Sequence, residues 1–95
     1  MNYLSKIITE MLNSKEPQLK QLHGGLHITY HPHHLRLQIA RMNQFPSSTE
    51  IRTFINAAAI SGVSLNQPEQ FIQPGLANGH TWHICRWNLE RIQLN

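Results

Sequence analysis

Residues 24–42, GGLHITYHPHHLRLQIARM, contain two runs in which apolar and polar side chains alternate. The apolar positions are Leu26, Ile28 and Tyr30 in the first run and Leu35, Leu37 and Ile39 in the second. Alternation with a period of two is typical of strands that bury one side. Because a short turn containing Pro32 separates the runs, the stretch predicts an antiparallel hairpin with one buried and one open face.

The open face of the hairpin is predicted to carry the polar residues of both runs. These residues are His27, Thr29, His34, Arg36 and Gln38. A surface with imidazoles and a guanidinium group can bind an anion, hold a metal ion or transfer protons. The function is therefore expected on this face, and its residues leave all three kinds of chemistry open.

An amphipathic helix is predicted before the hairpin. Between residues 3 and 12, apolar side chains recur three and four positions apart, as in a helix that covers a sheet with one side. The predicted stripe consists of Tyr3, Leu4, Ile7, Ile8, Met11 and Leu12. The segment that follows leaves two alternatives, because Pro17 can start a helical turn whereas residues 18–23 can form a short strand.

A second helix is predicted after the hairpin, because both of its ends are marked. Ser47 and Glu50 have the spacing of a capping box, and Gly62 followed by Val63 fits a left-handed helix stop. The predicted buried stripe is Ile51, Phe54, Ile55 and Ala58. Ile60 lies on the polar side, so either another segment covers it or it is an exposed contact point.

The last part of the chain is predicted to begin irregularly and to end in a strand. Residues 64–79 are rich in Asn, Gln, Pro and Gly, which favours loops, with a helical turn over 68–73 and a turn at Asn78-Gly79. Residues 80–89, HTWHICRWNL, have the composition of a strand.

This C-terminal strand carries apolar residues on both sides. Trp82 and Ile84 share one side, and His83, Cys85, Trp87 and Leu89 share the other. Either both sides are partly covered or a bulge exchanges them. Such an apolar segment must pack, so we expect it to extend the sheet as a further strand, within its own subunit or across a homodimer.

These elements predict a single α+β domain over residues 1–95. Two helices pack on one face of a small antiparallel sheet, in the order helix, short strand, strand, strand, helix, with an extra C-terminal strand. The length suffices for one core.

The composition argues against several classes of functional site. The chain has no aspartate and five scattered glutamates, which disfavours magnesium and calcium sites, Asp-supported serine triads and paired glycosidase carboxylates. The net charge of +3 permits nucleic acid without requiring it. With one cysteine, no long apolar run and no signal-peptide pattern, the protein is expected to be soluble and cytoplasmic, without a membrane partner.

Two groups of residues could form a metal site or a nucleophile, but in both cases a purely structural role is favoured. His31, His33 and His34, with His83 and Cys85, could supply a tetrahedral zinc site, but adjacent histidines diverge and no metal signature fixes two ligands together. Solvated turn histidines, with no metal and no cofactor, are therefore predicted. Cys85 beside Ile84 on a strand is expected to be a small buried hydrophobe rather than a nucleophile.

Residues 1–72 resemble the HicA family of small RNA-cleaving toxins, which have a double-stranded-RNA-binding-like fold. The family motif is Gly-Ser-His-x-x-aromatic shortly before His-Pro, and Gly25, His27, Tyr30 and His31-Pro32 occupy comparable places. Leu26 stands where the family has serine, the spacing to His-Pro is one residue shorter, and this chain continues beyond the family's usual end. The resemblance implies that His27 is the catalytic histidine.

Two functions follow as hypotheses. The first is an RNA-binding protein, or a metal-independent endoribonuclease toxin, that uses His27 for catalysis and Thr29, His34, Arg36 and Gln38 for binding RNA, with an antitoxin-like protein partner. Cleavage through the 2′-hydroxyl of RNA needs an imidazole and charge stabilisation rather than a metal. The second is a non-catalytic module that docks a protein partner. On a third interpretation these residues only keep an exposed sheet face soluble.

Overall fold

The computed structural model describes residues 3–75 and 79–89, and these form two α-helices and five strands. In chain order the elements are α1 (Tyr3–Leu12), β1 (Gln18–Gln21), β2 (His27–His31), β3 (Arg36–Met42), α2 (Ser48–Ile60), β4 (Glu69–Pro74) and β5 (Thr81–Asn88). All neighbouring strands pair antiparallel, in the order β1-β2-β3-β5-β4. The predicted α+β class with a small antiparallel sheet is confirmed.

Both helices pack against the same face of the sheet. The buried residues on that face are Ile28, Tyr30, Leu37, Ile39, Cys85 and Trp87, and they form one core with Ile7, Ile8 and Met11 of α1 and Phe54, Ala57 and Ala58 of α2. Leu4, Leu12, Ile51 and Ile55 of the predicted helix stripes are partly buried against this core, whereas Tyr3 is exposed. Among the residues that the structure describes, no helix lies on the other face of the sheet.

The predicted hairpin is confirmed, but its turn differs from the expected one. Pro32–His34 form a single 3-10 turn, and Leu35 ends it in the left-handed conformation, with φ 48° and ψ 54°. As a result Leu35 is exposed, and the prediction that it shares the buried face of Leu37 was wrong. His34 likewise lies in the exposed turn and not on the strand face of Arg36.

Helix α2 begins and ends where its capping residues predict. The Ser47 hydroxyl accepts a hydrogen bond from the Glu50 backbone N–H, and the Glu50 carboxylate accepts one from the Ser47 N–H, which completes the capping box. Gly62 has φ 94°, and Val63 donates to the Ala58 carbonyl in the expected C-terminal motif. Ile60 is exposed, as one of its two alternatives predicted.

The remaining segments settle the open alternatives and correct one prediction. Residues 18–21 form a strand, β1, at one edge of the sheet. Residues 69–74 also form a strand, β4, so the helical turn predicted there was wrong. The side chains of β4 are mostly exposed, so apolar and polar residues hardly alternate along it. The strand forms because it pairs with β5 along its whole length. Asn78, part of the predicted turn, lies outside the described residues.

The C-terminal strand is an interior strand of the sheet. β5 pairs with β3 on one side and with β4 on the other, all within the chain. Both of its sides are partly covered without a bulge, because Ile84 and Cys85 are buried on opposite faces while Trp82 and His83 are only partly buried. The open edges belong to β1 and β4, so pairing of β5 with a second copy would require β5 to leave its place in the sheet.

Candidate functional site

The open face of the sheet is assembled from rows of side chains that the strand register brings together. One row contains Leu19, Thr29, Gln38, Arg86 and Glu69, and the next contains Gln21, His27, Ala40, Ile84 and Phe71. Four of the five predicted site residues, His27, Thr29, Arg36 and Gln38, therefore lie on this face, and His34 does not.

His27 is held with a defined ring orientation. Its Nδ1 lies 3.1 Å from the carbonyl oxygen of Gly25. A carbonyl oxygen can only accept, so Nδ1 carries the proton and the neutral ring presents an unprotonated Nε2. The ring also meets Trp82 edge to face, with centroids 4.8 Å apart and planes at 81°. His27 can thus act as a proton acceptor through Nε2.

A shallow depression of about 230 Å³ lies beside His27. The residues lining it come from all five strands and are Leu19, His27, Thr29, Gln38, Ala40, Gln73, Trp82 and Ile84. Ala40 and Ile84 are buried and contribute an apolar floor. Within the described residues, the side chains of Thr29, Gln38 and Gln73 form no hydrogen bonds, so their donors and acceptors are available to a ligand.

Arg36 lies at the other end of the hairpin from His27. In the register of β2 with β3, Arg36 faces His31 whereas His27 faces Ala40, so four residues, or about 13 Å of strand, separate them. Arg36 donates from Nε to Asn88 Oδ1 at 3.4 Å and forms no ion pair with any residue of ranges 3–75 and 79–89. Its charge is available to an anion, but not at the position of His27.

The second arginine of this face is already engaged. Arg86 donates from Nε and Nη2 to Glu69 Oε1, at 3.2 and 3.1 Å, and its guanidinium lies 4.7 Å from the centroid of the Phe71 ring. The exposed ion pair adds little to stability, because solvent screens it. The Arg86 guanidinium covers one face of the Phe71 ring, and the depression is lined by Trp82 and not by Phe71.

The histidines around the turn at Pro32–His34 and the lone cysteine, Cys85, have different surroundings. Burial, with smaller contributions from the charges of Arg36 and His34, lowers the pKa of His31. No group of three potential ligands is placed to hold a metal ion in the part of the chain that the structure describes. Burial raises the pKa of the Cys85 thiol to about 11, so it is protonated and inert at neutral pH, as a buried hydrophobe should be.

The sequence interpretation missed the residues that β4 and β5 add to the site. Trp82, Ile84 and Gln73 lie outside the hairpin, and their contribution depends on β5 pairing beside β3. The signal available in the sequence was the pair Trp82 and Ile84 on the less apolar side of the last strand.

Among the described residues, no helix is long and apolar enough to cross a membrane. Comparison with protein-family models, with curated protein sequences and with solved structures finds no match to this chain.

Proposed function

We propose that this protein binds RNA through the open face of its sheet and cleaves it with His27 as general base. The observation that carries the proposal is the hydrogen bond from His27 Nδ1 to the Gly25 carbonyl, which leaves Nε2 of the neutral ring unprotonated in a residue that lines a depression with free polar groups. Metal-independent cleavage of RNA needs such a base near the 2′-hydroxyl.

In the proposed reaction, Nε2 of His27 takes the proton of a 2′-hydroxyl. The 2′-oxygen forms a bond to the adjacent phosphorus, the bond from phosphorus to the 5′-oxygen breaks, and the departing 5′-oxygen takes a proton from water. Because Arg36 is about 13 Å away along the strands, its charge does not reach the phosphorane at His27. Arg36 instead holds a phosphate further along the strand.

The binding part is tested by fluorescence anisotropy with a labelled RNA over a series of salt concentrations. Phosphate contacts release counterions, so affinity should fall as salt rises. Replacing Arg36 with Ala should reduce the salt slope by about 0.7, the value for one phosphate contact to a single strand. Absence of salt-dependent binding to any RNA at micromolar protein would refute the proposal.

The cleavage part is tested with a matched pair of histidine variants. His27→Ala should lower the cleavage rate by about 100-fold or more, because it removes the general base. His34→Ala is the control, since His34 lies in the exposed turn away from the site, and its rate should stay within about twofold. Cleavage should survive EDTA and should stop on RNA with blocked 2′-hydroxyls. Equal loss in both variants would remove His27 from the mechanism.

A protein-docking module is the second candidate, and one observation favours it. On the helix side, β4 is uncovered: Ile72 is 54% exposed, and beside this strand a groove of about 340 Å³ is lined by Ile51, Ile55 and Gln70, among others. A partner that binds there would bury apolar area, so its affinity would change little with salt. The salt series therefore separates the two candidates.

A further inference from the structure

The depression beside His27 has the size and lining of a binding site for one planar heterocycle. Its volume of about 230 Å³ is below the range of roughly 300–1,000 Å³ of pockets that enclose drug-sized ligands, so it suits a single ring system. Ala40 and Ile84 give it an apolar floor, and Trp82 stands at its side. Aromatic side chains on open sheets stack well on nucleobases.

The polar groups around the depression match the edge of a base. Gln38 and Gln73 each carry an amide that both donates and accepts, and the Thr29 hydroxyl does the same. None of these side chains is hydrogen-bonded within the described residues. Since a base presents donors and acceptors along its edge, these groups can pair with one without losing an existing interaction.

We infer that this depression is a nucleobase subsite and that the substrate is single-stranded RNA with an unstacked base. This inference rests on the proposed function and names its substrate class. A paired base cannot enter, because in an A-form duplex each base is stacked between its neighbours and has no free ring face to place against Trp82. The rings of Trp82 and His27 are in contact, so a base that packs against Trp82 places its ribose near His27.

The substrate class is tested first on the unmodified protein, with three probes of equal length and 2′-O-methyl riboses, which cannot be cleaved through the 2′-oxygen. The probes are a single strand, a blunt duplex and a single strand that lacks its bases. The single strand should bind at least about fivefold more tightly than the other two, given the usual contribution of base stacking.

The role of Trp82 is tested with Trp82→Ala and Trp82→Phe. Trp82→Ala should weaken binding of the single strand about 5- to 100-fold and change duplex binding less than twofold, whereas Trp82→Phe keeps a ring and should keep most of the affinity. Ile72→Ala is the control, because Ile72 is exposed on the opposite face of the sheet, and it should bind as the unmodified protein does. A melting curve on each variant shows that it is folded.

The outcomes separate the subsite from the proposed function. Equal binding of all three probes with a normal salt slope overturns the subsite and leaves RNA binding in place. Failure of every probe to bind overturns both. If Trp82→Ala does not fold, preference of the unmodified protein for the single strand over the base-free strand still decides the question.

Discussion

Arg41 on β3 and Glu50 in the first turn of α2 form a bidentate ion pair. Arg41 Nε donates to Glu50 Oε1 at 2.9 Å and Nη2 donates to Oε2, while Nη1 donates to the Gly24 carbonyl at 2.6 Å. Glu50 also closes the capping box with Ser47. One side chain pair therefore ties the turn before β2, the strand β3 and the start of α2 together.

We predict that Glu50→Ala lowers the free energy of unfolding by about 1–2 kcal/mol, because it removes the Glu50 side-chain half of the capping box and the ion pair. Glu50→Gln is the matched control, since the glutamine oxygen can retain the capping box while the charge and one of the two acceptors for Arg41 are lost. It should cost about half as much. Thermal melting measures both, and for a domain of this size 1 kcal/mol corresponds to about 4–8 °C in Tm. Equal melting of Glu50→Ala and the unmodified protein would show that the pair has no effect.

The contribution of Glu50 should depend on pH in a defined direction. The hydrogen bond from Arg41, with those of Ser47, holds the pKa of Glu50 below its ordinary value of 4.5. The unfolded state then binds a proton more readily than the folded state, so stability rises with pH through this window. The stabilisation is complete above about 4.5 and is lost as pH falls through the folded pKa. The unfolding free energies of the unmodified protein and Glu50→Gln, measured with denaturant, should therefore converge as pH falls through the folded pKa of Glu50, and a constant gap would contradict the assignment.

Deletion of residues 80–95 is predicted to unfold or aggregate the protein. It removes β5, and with it the only strand that joins β4 to the described sheet. It also removes Trp87, which stacks on Phe54 with centroids 5.2 Å apart and donates from Nε1 to the Asn66 carbonyl. Circular dichroism and a melting curve check the result, and a cooperatively folded product of residues 1–79 would contradict it.

A point variant tests the same packing without truncation. Trp87→Ala should cost about 3–5 kcal/mol, the usual loss for a buried tryptophan, whereas Trp82→Ala on the open face should cost clearly less. Similar losses for the two variants would mean that Trp87 is not the anchor of β5 on the helices.

Leu35→Asn is predicted to stabilise the hairpin turn. Leu35 is left-handed and exposed, and this conformation costs a branched residue roughly 1 kcal/mol, whereas asparagine tolerates it. The gain should be a few tenths to about 1 kcal/mol in urea denaturation. Leu37→Asn is the contrasting variant, because Leu37 is fully buried and its replacement should be strongly destabilising. A loss of stability in Leu35→Asn would show that its side chain contributes more than its strain costs.

The sequence by itself determined the elements whose signals are local. Alternation over Leu26 to Tyr30 defined β2, the Ser47–Glu50 spacing defined the start of α2, and Gly62 defined its end, because each depends on neighbours a few residues away. The polar face with His27, Thr29, Arg36 and Gln38 followed from the same alternation. The alternation did not predict the left-handed conformation of Leu35. Because the turn ends at Leu35, His34 lies in the turn and not on the open face.

The tertiary structure alone decided where β4 and β5 pair and what they bring to the site. The segment of β4 has no strand pattern of its own, and its hydrogen bonds come from β5. The distance between His27 and Arg36, and the meeting of His27 with Trp82, depend on the register of strands far apart in the chain. Contacts of this kind are fixed by the burial of a shared core and by backbone pairing, and no local pattern encodes them.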